Sequence, residues 1–136
     1  MRWIILSVAL IASVALAARF NDLRMYAKYE NMDAVRADGA IGRGWIPAWL
    51  PENAINIHEH HDLDTSIRAI SFTVDQPEEW PWPIECVPAQ TAPRPRIRTK
   101  LFPRAPHRLD DTQVCADVFA ARDSEGVIHM WSNSGY

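Results

Sequence analysis

An apolar run at the amino terminus separates the first 18 residues from the part of the chain that can fold as a domain. After Met1 and Arg2, residues 3–18 are apolar apart from two serines. A helix of this length spans about 24 Å, slightly less than the roughly 30 Å hydrocarbon core of a membrane. The run therefore predicts export, with residues 1–18 acting as a cleaved signal peptide or as an uncleaved transmembrane helix.

Small residues at the end of the run favour cleavage. Ala15 and Ala17 flank Leu16 in an A-x-A pattern, which predicts a cleavage site after Ala17. The run is followed by three cations, Arg19, Arg24 and Lys28. Because positive charge favours the inner side of a membrane, they keep an inward-facing form open as an alternative. We expect a domain in the periplasm, secreted, or anchored to the inner membrane and facing the periplasm.

Residues 19–136 suffice for one small extracytoplasmic domain. A chain of 136 residues is too short for a two-domain cofactor enzyme or a TIM barrel. Its net charge of −3, which becomes −4 when Arg2 is removed with the leader, argues against nucleic acid as a partner. We expect no cofactor, because the sequence has no phosphate-binding glycine loop and no nucleophile elbow.

The two cysteines, Cys86 and Cys115, are expected to form a disulfide if the domain is exported. Closing a loop of that length stabilises a fold by about 3–4 kcal/mol in the chain-entropy account. In the cytoplasm the same residues would be two free buried thiols. A metal site would need ligands that these cysteines do not supply.

Capping signals predict a short helix in the first half of the domain. Asn31 is a typical N-cap for residues 32–38, and Gly39 suits the left-handed residue that ends a helix. Pro51 is typical of a first helical position and predicts one helical turn over residues 51–54, after which a strand begins at Ile55.

Alternation of apolar and polar residues predicts strands. Between residues 66 and 75, Ile70, Phe72 and Val74 share one face, which predicts a half-buried strand. The other face carries Ala69, Ser71, Thr73 and Asp75.

Near the carboxyl terminus, residues 114–121 and 127–131 are apolar runs joined by a turn with Gly126, which predicts a β-hairpin within residues 112–132. The fold class predicted from these elements is a small two-layer α+β domain with an antiparallel sheet and one or two short helices.

Residues 44–51 contain two tryptophans and two prolines and cannot form the interior of a helix. We interpret Trp45 and Trp49 chiefly as packing anchors, because large aromatic side chains mainly contribute buried area. The alternative is an exposed platform for a ligand or a partner.

Several residues between positions 26 and 75 follow a distinctive order. They are Tyr29, Arg43-Gly44-Trp45-Ile46-Pro47, Trp49-Leu50-Pro51, Ala54, Ile57, His61-Asp62-Leu63-Asp64-Thr65 and Phe72. This order resembles the YbbD head domain of bacterial exported or membrane-anchored proteins. The resemblance implies a small α+β unit, and it implies no activity, because that family has no assigned chemistry.

Residues 58–64 offer a possible metal site. On a strand, His58, His60 and Asp62 would point the same way, together with Asp64, and two imidazoles with a carboxylate can bind Zn²⁺. The helical H-E-x-x-H signature is absent, because position 62 is aspartate. A metal-dependent hydrolase is therefore an alternative function.

The structural interpretation of this segment is a turn. Asp62, Asp64 and Thr65 can accept backbone N–H bonds there and position the next strand. His61 would orient this turn, and the histidines at 58 and 60 would be solvated.

Residues 77–106 are rich in proline, and their second part is basic without any aspartate or glutamate. Arg94, Arg96, Arg98 and Lys100 occupy every second position, so an extended strand would space them by about 6–7 Å, which suits anionic lipid head groups or a polyanion. The alternative is an edge strand whose charges prevent aggregation.

These observations favour a non-catalytic interaction or binding domain at the bacterial cell envelope. Its expected partner is an envelope protein or an anionic envelope component, and the membrane itself if the leader is retained. The alternatives are the hydrolase that would use His58, His60 and Asp62, and a purely structural accessory domain.

Overall fold

The structure is a computed structural model that describes residues 23–102 and 105–133. Its elements are β1 (Arg24–Asn31), α1 (Met32–Asp38), β2 (Ile55–Asp62), β3 (Arg68–Thr73), β4 (Cys86–Pro88), a 3₁₀ turn (Pro106–Arg108), β5 (Thr112–Cys115), β6 (Val118–Arg122) and β7 (Ile128–Trp131). The predicted leader and its cleavage site lie outside the described residues. Within the described part, no helix has the length and apolarity needed to span a bilayer.

All seven strands form one antiparallel sheet in the order β1-β2-β3-β7-β6-β5-β4. Strands β1 to β3 lie side by side in chain order, and so do strands β4 to β7. The pairing of β3 with β7 joins these two groups. Together with the short α1, this arrangement agrees with the predicted α+β class and its antiparallel sheet.

The capping residues of α1 act as the sequence predicts. The side chain of Asn31 accepts the N–H of Ala34 at 3.0 Å, and Gly39 ends the helix with φ 73°. The turn predicted at Pro51 is present as a single hydrogen-bonded turn and is not part of a helix. The N–H of Ala54 donates to the carbonyl of Pro51 at 2.9 Å, and β2 begins at the next residue.

The main core lies on the sheet face that α1 and residues 39–54 cover. Its strand residues are Tyr29, Ile57, Ile70, Phe72, Val118, Ala120, Ile128 and Met130. These positions alternate along each strand and stand opposite one another across the sheet, as in the row formed by Ile70, Met130 and Ala120. The alternation read from the sequence therefore identifies one face of the core correctly.

The second face of the sheet is also covered, so the prediction of a half-buried β3 is wrong. Ala69 and Ser71 are buried although they point away from the main core. The proline-rich segment crosses this face and buries Ile97 against Ile67 and Ala69, with Phe102 packed beside them. A strand in the centre of a sheet becomes fully buried when a distant segment covers its second face.

The apolar run 114–121 contains two strands instead of one. Ala116 adopts φ 54° and turns the chain between β5 and β6, so that Cys115 faces Val118. β6 and β7 form a hairpin, and Gly126 in its turn has φ 80°. The predicted disulfide is present and joins Cys86 to Cys115 at directly opposite positions of β4 and β5.

The basic segment 94–100 is not the predicted edge strand. Proline 93 and proline 95 have no N–H to donate to a strand ladder, and the segment is held by side chains instead. Asn133 accepts the N–H of Arg96 at 2.9 Å and donates to the carbonyl of Arg94 at 2.9 Å. Trp131 Nε1 donates to the carbonyl of proline 93 at 3.0 Å. β1 and β4 are the edges of the sheet.

Candidate functional site

Two adjacent inward positions of β2 bring a carboxyl group and an imidazole together. Glu59 and His61 lie on the core side of the strand, and their side chains are 1% and 9% exposed. His61 Nδ1 is 2.7 Å from Glu59 Oε1. The expectation that His61 orients the turn after β2 is wrong, because strand alternation turns its ring into the protein, away from the turn.

Trp45 covers this pair. Its ring stacks on that of His61 with 3.6 Å between the centroids and 7° between the planes. The N–H of Trp45 donates to the carbonyl of Ala40 at 3.1 Å, which fixes the loop that carries the ring. Trp49 is partly buried against the main core. The structure thus places both tryptophans as packing residues of the loop.

Burial controls the protonation of the pair. Desolvation raises the pKa of Glu59 to about 8, although the nearby Arg68 and Arg43 oppose this rise. Desolvation also lowers the pKa of His61. At neutral pH both shifts favour the protonated acid beside a neutral imidazole, an arrangement in which the carboxylic hydroxyl donates to Nδ1.

A buried arginine completes this cluster. Arg68 is 2% exposed, and its guanidinium donates to Asp117 Oδ2 at 2.6 Å and to the carbonyl of Gly44. It thereby ties the turn between β5 and β6 to the Trp45 loop. The sequence analysis missed Glu59, Arg68 and Asp117. A signal for Arg68 exists, because it precedes Ile70 by two positions and therefore shares its core-facing side of β3.

An open pocket of about 560 Å³ lies beside the cluster. Tyr29 and Asp38 line it, and the phenol donates to Asp38 Oδ2 at 2.8 Å. Burial and this hydrogen bond raise the pKa of Tyr29 to about 12, while the phenol and Arg43 lower the pKa of Asp38. Tyr29, Asp38 and Arg43 are engaged with one another, and the indole of Trp45 lines the same pocket.

The three residues of the alternative metal site share the outer face of β2, as alternation predicts. His60 is fully buried and stacks on Tyr26 with 3.8 Å between the ring centroids, so the expectation that it is solvated is wrong. His58 is half-buried. Throughout residues 23–102 and 105–133, no three His, Cys, Asp or Glu side chains are grouped so that they can hold a metal ion.

Asp62 acts in the turn after β2. Its Oδ1 accepts the N–H of Asp64 and the N–H of Thr65, each at 3.0 Å. These bonds lower the pKa of Asp62, because they favour the charged carboxylate. Asp64 and Thr65 are exposed, and both follow the end of the strand. The carboxylate that the metal hypothesis requires thus accepts hydrogen bonds from the backbone of the turn.

Three arginines line one open pocket of about 470 Å³ on the second face of the sheet. Arg94, Arg96 and Arg98 surround it together with Thr99 and His107. Within the described residues, none of the three arginines forms an ion pair with a carboxylate, and no aspartate or glutamate lines the pocket. An open cavity with this lining favours an anion.

A second open pocket of about 540 Å³ shares lining residues with the first. Arg98 and Thr99 line both pockets, and Tyr26, Lys100 and Leu101 complete the second. We call the four cations Arg94, Arg96, Arg98 and Lys100 the basic surface. The sequence predicted their grouping on one strand, whereas the structure groups them around two pockets that share lining residues.

The fold defines a small α+β domain built on one antiparallel sheet, with a buried Glu–His pair on one side and a basic surface on the other. Residues 24–73 match the family model of the YbbD head domain, which confirms the resemblance noted in the sequence. The matched segment begins with β1 and ends with β3. No curated protein and no solved structure matches the chain.

Proposed function

We propose that this chain is a non-catalytic binding domain of the bacterial cell envelope that binds a phosphate-bearing anionic component through its basic surface. The observation that carries this proposal is the pocket lined by Arg94, Arg96 and Arg98, which contains no carboxylate among the described residues. Guanidinium groups bind phosphate oxygens through paired hydrogen bonds, so three of them around one cavity favour phosphate over a neutral ligand.

The backbone beneath the arginines is fixed, which supports binding without a large ordering cost. Asn133 holds the main chain at Arg94 and Arg96, and Trp131 holds the carbonyl of the preceding proline. Ile97 is 5% exposed and anchors the segment between the arginines. A surface that is already ordered loses less conformational entropy when a ligand binds.

The charge of the surface contrasts with the rest of the chain. The whole protein carries a net charge of −3, so the four cations of the basic surface form a local positive region. Attraction to an anionic ligand is therefore local and falls with ionic strength. The envelope location is supported by the apolar residues 3–18 and by the Cys86–Cys115 disulfide, which suits an oxidising compartment.

A binding experiment with the exported protein tests the proposal. We expect binding to soluble polyphosphate and to vesicles of anionic phospholipid, with weaker binding to zwitterionic vesicles and a loss of affinity in high salt. The polyphosphate and vesicle arms distinguish a polymer from a lipid head group as the source of phosphate.

Matched variants identify the surface responsible. Arg98→Gln, which affects both pockets, is expected to weaken binding several-fold, and the triple variant R94Q/R96Q/R98Q to abolish it. Arg36→Gln removes the same charge from α1, where the guanidinium already pairs with Asp33 and Glu52, and is expected to bind normally. Equal losses in Arg98→Gln and Arg36→Gln, or no binding to either phosphate source, would overturn the proposal and favour a purely structural role.

A further inference from the structure

β1 is a long strand at one edge of the sheet. It has eight residues, contains no proline and pairs with β2 without a register shift. The opposite edge, β4, has three residues and ends in Pro88. Natural sheets shorten, twist or block their edges because unpaired N–H and C=O groups recruit another strand. Of the two edges described, β1 is the longer, and no strand among residues 23–102 and 105–133 pairs with its outer side.

One hydrogen bond shows which backbone groups of β1 point outward. The N–H of Leu63 donates to the carbonyl of Leu23 at 3.0 Å, so Leu23 faces β2. In an antiparallel pair every second residue faces the same neighbour. The residues of β1 whose backbone N–H and C=O groups point away from β2 are therefore Arg24, Tyr26, Lys28 and Glu30. We call them the outward residues.

We propose that two copies of this chain pair antiparallel through β1, around a two-fold axis at Ala27. In this register Arg24 lies opposite Glu30 of the partner subunit, and Tyr26 lies opposite Lys28 of the partner subunit. Opposite charges and an aromatic ring facing a lysine stem are favourable pairs across strands. These four residues are therefore complementary to the same four residues of the partner subunit in reverse order.

Neighbouring registers are unfavourable. A shift of the axis to Tyr26 places Arg24 opposite Lys28 of the partner subunit. A shift to Lys28 places the two copies of that lysine directly opposite each other. Like charges facing each other across strands are destabilising, so charge favours the register centred on Ala27 over these two neighbouring registers.

Exposed apolar side chains gather at the same edge. Leu23, Met25, Tyr26 and Leu63 are between 43% and 66% exposed. In the proposed register Met25 lies opposite Tyr29 of the partner subunit, on the main-core side of the sheet. Two copies joined in this way cover apolar surface that each copy leaves in water, which adds to the backbone hydrogen bonds.

The oligomeric state of the exported protein tests this pairing without any ligand, and so independently of phosphate binding. Sedimentation equilibrium is expected to show a monomer–dimer equilibrium. Lys28→Pro removes an outward N–H that β2 does not use and is expected to give a monomer. Lys28→Ala keeps that N–H and is expected to dimerise. A wild-type monomer at every concentration, or a Lys28→Pro dimer, would overturn the inference.

A charge exchange tests the register even if proline disturbs the strand. Arg24→Glu and Glu30→Arg, made singly, each place like charges opposite each other at both ends of the pair and are expected to raise the dimer Kd roughly tenfold. The double variant R24E/E30R is expected to restore it. Within one chain Arg24 lies opposite Asp62, far from Glu30, so only pairing between copies predicts this rescue. If the double variant dimerises no more tightly than either single variant, the register is refuted.

Discussion

His61 Nδ1 lies 2.7 Å from Glu59 Oε1, and both side chains are buried on the same face of β2. The ring of Trp45 stacks on His61, and the buried guanidinium of Arg68 lies near Glu59. A carboxyl group in this position has a measurable effect on stability, because its pKa in the folded chain differs from its ordinary value.

Replacement of Glu59 is expected to change how stability depends on pH. The pKa of Glu59 is raised from 4.5 to about 8, so the folded chain holds a proton that the unfolded chain releases. The free energy of unfolding therefore falls as pH rises through this range, by up to about 1.4 kcal/mol per pH unit. Glu59→Gln cannot ionise and is expected to lose this slope.

Urea unfolding between pH 6.5 and 8 is the suitable measurement, because the lowered pKa of His61 changes stability mainly at more acidic pH. Glu78→Gln, at an exposed position, is the matched control and is expected to keep the wild-type slope. Identical slopes in wild type and Glu59→Gln would contradict the assignment.

Removal of the buried guanidinium of Arg68 is expected to loosen the Trp45 loop. Arg68→Met leaves the carbonyl of Gly44 without this donor and Asp117 without its ion pair. We expect a loss of about 2–4 kcal/mol in stability and faster hydrogen exchange at the N–H of Trp45. Arg36→Met, whose partners are exposed, is expected to leave both measurements nearly unchanged. Unaltered exchange in Arg68→Met would show that the loop is held by other contacts.

Any side chain at Gly126 is expected to destabilise the fold. Its φ is +80°, and a Cβ there would lie 2.3 Å from Cγ of Pro77. Gly126→Ala should therefore cost at least about 1–2 kcal/mol and lower the Tm by several degrees. The control is Gly42→Ala, where the nearest atom to an added Cβ is 3.6 Å away. Equal Tm values for the two variants would argue against a strained turn.

Reduction of the disulfide is expected to destabilise the domain. Cys86 and Cys115 are 29 residues apart, and opening a loop of that length costs about 3–4 kcal/mol in the chain-entropy account. Guanidinium unfolding with and without reductant measures the difference. The double variant C86S/C115S should match the reduced protein and should not respond to reductant.

Short-range signals predicted the local elements well. The cap at Asn31 and the left-handed Gly39 were identified because capping depends on residues three or four positions apart. The inward residues of β3 were identified because side chains alternate along a strand. The turn at Ala116 was missed, because a left-handed alanine within an apolar run has no sequence signal.

The candidate site was predicted only in part. The basic residues were found because they are close together in sequence, yet the pocket they line depends on Trp131 and Asn133, which hold the segment from the far end of the chain. Glu59 was missed because it alternates with histidines on a strand whose two faces are both covered, so its burial has no local signature.

The sequence by itself determined the positions of the helix, the capping residues, the inward face of β3 and the cysteines that pair, because these features depend on near neighbours or on chemistry that few residues share. Tertiary structure decided which segments cover the sheet, and thereby the burial of Glu59, His60 and Ser71. It also decided that the arginines surround pockets and that β1 lies at an edge of the described sheet. Burial and edge exposure are properties of the whole arrangement, since each depends on where distant segments come to lie.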